Sequence, residues 1–96
     1  MILLEWDEAK RASNKRRHGI DFADLNEFFD IETTTEVDDR FDYGEMRFLT
    51  LGVLLGEVVA VTHTETEVGK NTMIRVISAR KAERHEQETY YKNIRD

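Results

Sequence analysis

Apolar residues fall in short, unequal groups along this chain. The stretch 2–6, I-L-L-E-W, reads as a strand. Asp7 is placed to cap a helix that runs to about Arg17 and closes at His18-Gly19. Gly19 suits the left-handed position after a helix, and Ile20 can pack back on the last turn. Only Ala9 and Ala12 give this helix a packing stripe, so most of its surface is expected to face water or a ligand. Asp21 is placed to cap a second short helix, in which Phe22, Leu25, Phe28 and Phe29 recur at helical spacing and mark a core face. Ile31–Val37, rich in threonine, reads as a strand, and residues 38–44 as an acidic loop.

Met46–Leu55 and Glu57–Glu65 are the clearest strands, and Gly56 between them marks a hairpin turn. In the second, Val59, Val61, His63 and Glu65 share one face, while Val58, Ala60, Thr62 and Thr64 share the other. Thr66–Asn71, with Gly69, turns into a last strand, Thr72–Ile77, so three consecutive strands form an antiparallel meander. Ile74 and Val76 point to one side of that strand, and Met73, Arg75 and Ile77 to the other. Ser78 is placed to cap a final helix through about Asn93, whose few apolar positions are Ala79, Ala82, Tyr90 and Ile94. The pattern predicts a single α+β domain: a small antiparallel sheet, two N-terminal helices and one C-terminal helix.

Charge changes this picture. The 96 residues carry a net charge of −6, which argues against a general nucleic-acid coating protein. The distribution is uneven. Lys10 to His18 holds five lysines and arginines and no acid, Asp21 to Glu45 holds ten acids against Arg40 alone, and Arg75 to His85 holds four basic residues against Glu83. Two basic segments flank an acidic middle. If the fold joins the basic segments, a local anion site exists on an acidic protein; the acidic middle suits a basic protein partner equally. There is no cysteine, so disulfides and thiolate metal sites are excluded. The opening M-I-L-L-E-W-D-E has too short an apolar run for a membrane segment, and a soluble cytoplasmic protein is expected.

The candidate chemistry centres on the last two strands. His63 and Glu65, two apart on a strand, project from one face as a plausible acid–base pair; a polar strand end is the plain alternative. If the strands pair, Arg75 can join them on that side. Self-cleavage of RNA by its 2′-hydroxyl needs a base, a cation to stabilise the phosphorane and an acid for the leaving oxygen, with no metal. Arg80, Lys81 and Arg84 at the expected helix start could hold phosphate, or simply solvate a helix surface. His18 at a helix C-terminus, where the dipole favours its protonated form, could contact phosphate or serve as a cap. The histidines lack metal-ligand spacing, and no metal or cofactor is expected.

Several segments occur together and in order: E-W-D-E-A-K (5–10), N-K-R-R-H-G-I-D-F (14–22), F-F-D (28–30), G-E-M-R-F-L-T-L-G (44–52), T-H-T-E (62–65) and I-R-V-I-S-A-R-K-A (74–82). In these the chain resembles the BrnT family, toxins of type II toxin–antitoxin pairs, from Trp6 to Tyr90. The resemblance implies a RelE-like fold, a small twisted antiparallel sheet with helices against it. It implies a ribonuclease that cuts RNA and blocks translation, neutralised by a cognate BrnA-type antitoxin with a ribbon-helix-helix part, through which alone it would meet operator DNA. Carried onto this sequence, it marks Trp6, Asp7, Lys10, Asn14, Arg17, His18, Glu65, Arg75 and Arg80. Arg75 and Arg80 would hold or polarise the scissile phosphate, His63 and Glu65 would transfer protons, and Lys10, Asn14, Arg17, His18, Lys81 and Arg84 would contact RNA. Family members often carry an arginine directly after T-E, where this chain has Thr66; Lys70 could substitute. The Tyr90-Tyr91 pair could stack on a base or close the core. The rival to a ribonuclease is a binding module or lapsed toxin, in which the acidic middle and last helix bind a protein without catalysis.

Overall fold

A computed structural model describes residues 1–39, 42 and 44–95, so the acidic loop expected over 38–44 lies partly outside the described residues. Strands β1 (Ile2–Glu5), β2 (Thr34–Val37), β3 (Phe48–Leu54), β4 (Glu57–Val68) and β5 (Asn71–Lys81) form one sheet in the order β1-β5-β4-β3-β2. The expected meander β3-β4-β5 is present and β2 adds to it antiparallel. β1 departs from the all-antiparallel expectation: it pairs parallel with β5, Ile2 opposite Thr72 and Glu5 opposite Arg75. Parallel neighbours need a long connection, and here residues 6–70, about two thirds of the chain, supply it.

Two packed layers cover the two faces of the sheet. On one face, Val59, Val61, Ile74, Val76 and Ala79 meet Ile20, Phe22, Leu25 and Phe28. The helix expected after Asp21 is instead a pair of 3-10 turns, Phe22–Leu25 and Phe28–Asp30. Three-residue turns bring positions 22, 25 and 28 to one side, so Phe22, Leu25 and Phe28 are buried although the helix type differs, while Phe29 is only partly buried. Gly52 lets them approach: a Cβ there would lie 2.9 Å from the Phe28 ring. On the other face, Leu49, Leu51, Val58 and Ala60 meet Ala82 and Tyr90 of the C-terminal layer, α2 (Arg84–Arg95). Tyr90 is buried and its hydroxyl donates to the Glu32 carbonyl at 2.9 Å, so it closes this second core, while Tyr91 is 39% exposed.

The largest correction concerns β5. The strand does not end at Ile77 and Ser78 caps no helix; β5 runs on to Lys81, and α2 begins only at Arg84. Ala79, Arg80 and Lys81 therefore belong to a strand.

Helix α1 (Glu8–His18) matches its expected caps, with the Asp7 carboxylate accepting from the Ala9 and Lys10 N–H groups and Gly19 at φ 73°. Its alanines do not anchor it. Asn14 does: its amide nitrogen donates to the carbonyls of Ala79 (2.9 Å) and Ile20 (3.0 Å), and its oxygen accepts the Ala79 N–H at 3.0 Å. β1 stops opposite Arg75, so beyond it the outer edge of β5 has no strand partner. The Asn14 amide takes the place of one. With both polar atoms committed and the residue 6% exposed, Asn14 is a tether between α1 and β5 and not the RNA contact the resemblance assigns to it. Arg11 adds a second tie, a two-point ion pair to Asp21 with Nε–Oδ1 at 2.7 Å, which holds the Asp21 carboxyl down at about 2.

Asn14→Ala strands a buried N–H and two carbonyls, each costing about 1–3 kcal/mol when left unmade. We expect a loss of about 3 kcal/mol in urea unfolding at neutral pH. An unfolding midpoint unchanged from wild type would show that water replaces the amide and that α1 is anchored elsewhere.

Candidate active site

The register of β4 against β5 slips once. Thr62 opposes Ser78 while His63 opposes Val76, so Ile77 has no opposite residue. A regular strand alternates faces, and five residues apart means opposite sides. The extra residue resets the alternation. Ile74, Val76 and Ala79 thus share the face under α1, and Arg75, Ser78 and Arg80 share the face toward α2. Thr62 and Thr64 of β4 lie on that second face, opposite Ser78 and Arg75.

The same register separates groups expected to meet. Arg75 opposes Thr64, so it projects away from His63 and Glu65. The expected convergence of His63, Glu65 and Arg75 on one side does not occur. His63 is 1% exposed, with its ring stacked on Phe48 (5.8 Å between centroids) and edge-on to Phe29 (5.2 Å). Its Nε2 lies 2.7 Å from the Thr50 hydroxyl, which in turn lies 2.8 Å from that of Thr35. Nδ1 has no hydrogen-bond partner among the described residues and sits 3.9 Å from Glu65 Oε1. Burial pushes the imidazole down to about 4, so at neutral pH it is an uncharged ring sealed from any substrate.

On the second face each arginine has a carboxylate that the sequence did not assign to it. Arg75 Nη2 donates to both oxygens of Glu45, at 2.9 and 3.1 Å, while Arg47 Nε donates to Glu45 Oε2 at 3.2 Å. The Arg75 side chain is 48% exposed, and its Nε and Nη1 make no hydrogen bond among the described residues. Arg80 forms a two-point pair with Glu86, at 2.7 and 3.0 Å, and Glu86 also accepts the Glu83 N–H at 2.7 Å. The Arg80 hydrogen bonds hold the Glu86 carboxyl below its usual range.

Magnitudes separate the two pairs. The Arg75–Glu45 pair is exposed and contributes about 0–1 kcal/mol, so releasing Glu45 costs little. The Glu86 side chain is only 11% exposed, and losing its partner would leave a nearly buried charge at a cost of about 3–5 kcal/mol. Arg80 is held in place, and Arg80→Ala would perturb the fold as well as the site.

The remaining basic residues are dispersed. Lys10, Arg17 and His18 are exposed on α1, and Lys10 and Arg17 form no ion pair among the described residues. The fold brings this basic segment to the other, because α1 is bonded to Ala79, the neighbour of Arg80. Lys81 lies on the first face, 3.5 Å from Glu57, and Arg84 is 93% exposed beside Glu88. Thr66 is exposed on the same face as Arg75, two pairs further along. Glu45 was legible only as part of G-E-M-R, and Glu86 had no sequence signal, because its role depends on the turn between β5 and α2. Among the described residues no group of three or more acidic or histidine side chains is arranged to hold a metal, and no helix is long and apolar enough to cross a membrane.

Residues 6–86 match the family model described as "Ribonuclease toxin, BrnT, of type II toxin-antitoxin system". The matched span takes in α1, strands β2 to β5 and the Arg80–Glu86 pair. No curated protein matches the chain.

His63 makes stability depend on pH. Its pKa is about 4 folded against 6.5 as the unperturbed value, so the unfolded chain takes up the proton first. Stability is complete above about pH 6.5 and falls as pH drops toward 4, by on the order of 3 kcal/mol. Urea unfolding between pH 7.5 and 4.5 should show this slope, and His63→Gln should flatten it. An equal slope in the variant would assign the loss to other groups.

Proposed function

The chain belongs to the BrnT family of ribonuclease toxins of type II toxin–antitoxin systems, and from that premise we propose a metal-independent endoribonuclease centred on Arg75. Membership also implies an antitoxin partner. We take that partner to be a BrnA-type ribbon-helix-helix protein, through which alone this chain meets operator DNA, and we take the fold to be RelE-like. The observation that carries the site is the slipped register that sets Arg75 and Arg80 on one face.

In this reading a phosphate displaces Glu45 and takes the free donors of Arg75. The released Glu45 carboxylate removes the proton of the adjacent 2′-hydroxyl. The 2′-oxygen bonds to phosphorus, the bond from phosphorus to the 5′-oxygen breaks, and that oxygen takes a proton from water. The products are a 2′,3′-cyclic phosphate and a 5′-hydroxyl. Arg75 stabilises the charge gathered on the phosphorane, and Arg80, held by Glu86 on the same face, contacts the RNA further along the strand. Glu65 and His63, on the other face, leave the proposed chemistry. RNA continues across the edge of β5 onto Lys10, Arg17 and His18 of α1, with Lys81 and Arg84 as outer contacts. A lapsed toxin that only binds its antitoxin is favoured by one observation, that both arginines are already held by carboxylates.

The deciding experiment induces the chain alone in bacteria, follows growth and maps new RNA ends. Wild type should arrest growth and leave cyclic-phosphate ends, and cleavage by the purified protein should persist in a chelator. Arg75→Ala should abolish arrest and slow cleavage by about 100-fold while unfolding like wild type. Normal growth and intact RNA with soluble wild-type protein would establish the lapsed toxin.

The position of Thr66 gives a gain-of-function test. An arginine there would sit beside Arg75 on the same face, so Thr66→Arg should raise cleavage several-fold. Unchanged or lower activity would remove that stretch of β4 from the substrate path.

A further inference from the structure

The β3–β4 hairpin turns on two residues, Leu55 and Gly56, both at positive φ (51° and 83°). Hairpins of this kind favour Asn-Gly, and a leucine in the left-handed region costs steric strain. Leu55 bears that strain while 90% exposed. It borders a groove of about 390 Å³ whose floor and walls are Phe28, Ile31 and Leu54, with Asp24 and Glu27 on the rim. Ile31 is itself 49% exposed. No lysine or arginine lines the groove, and Asp24 and Glu27 form no ion pair among the described residues.

We propose that this groove is the anchoring site for the antitoxin, and that it takes a segment with an aliphatic or aromatic side chain flanked by lysine or arginine. The proposal rests on the toxin reading above. Charge selects the occupant: an apolar slot rimmed by two unpaired carboxylates, on a protein of net charge −6, is complementary to a cationic segment. The chain's own basic helix does not fit, because α1 offers no large apolar side chain to fill the slot. The groove lies at the Glu57 end of β4, on the face opposite Arg75, which pairs with Thr64. Seven residues of strand separate the two, about 23 Å. The antitoxin is thus anchored on the face opposite Arg75.

The test is calorimetric titration of the purified full chain with its cognate BrnA-type antitoxin. Leu55→Asn supplies the turn pair that the geometry favours, so its melting temperature should equal or exceed that of wild type. Its affinity should fall at least 10-fold. Asp24→Lys with Glu27→Lys should weaken binding and flatten its salt dependence. Both variants should still arrest growth when expressed alone, and the antitoxin should no longer rescue them fully. Wild-type binding with both variants equal to it would overturn the groove and leave the toxin reading intact. No binding by wild type would overturn both. Self-association of wild type that Leu55→Asn abolishes would assign the groove to a second copy and overturn the proposal.

Discussion

One unpaired residue, Ile77, fixes what each face of the sheet can do. Were β5 regular, Arg80 would lie on the face of Ile74 and Val76, driven into the layer formed by Phe22 and Leu25. A guanidinium there would be buried without a counter-charge, a cost no core of this size absorbs. The slip sends Ala79 into that layer instead and turns Arg80 outward to Glu86. The hydrophobic packing of one face and the charge of the other are therefore one solution to one constraint.

The electrostatics of the second face follow. Arg80 is held by Glu86, a nearly buried carboxylate, and Arg75 by Glu45, an exposed one. The first pair is fixed in place, and the second is released at little cost. The first face bears the complementary role: Asn14, Arg11 and the aromatic packing of His63 are spent on holding α1 and the turns against the sheet.

Much of this was legible in the sequence. Alternation along β3 and β4 gave the hairpin and both of its faces, Asp7 and Gly19 bounded α1, and the spacing of Phe22, Leu25 and Phe28 gave the first core. The departures have separate physical causes. At Ile77-Ser78 the two-residue period breaks, and a break followed by serine resembles a strand end and a helix cap; a bulge produces the same pattern without ending the strand. That misreading placed Arg80 on a helix and left Arg75 beside His63. The parallel pairing of β1 leaves no local mark, because its partner lies some seventy residues away. Asn14 was expected among the RNA contacts, because an amide that replaces a strand is visible only in three dimensions.

The parallel edge formed by β1 also sets an order of events in the life of the molecule. Met1 to Glu5 cannot find their place until the residues of β5 exist, and α1 cannot dock until Ala79 offers its N–H and carbonyl. Closing so long a loop is entropically slow, so the native state is reached late, after nearly all of the chain has been made. A nascent chain still being synthesised has neither the fixed face of Arg80 nor the basic helix beside it. The face that carries Arg75 and Arg80 is therefore assembled only once the residues of β5 have been made.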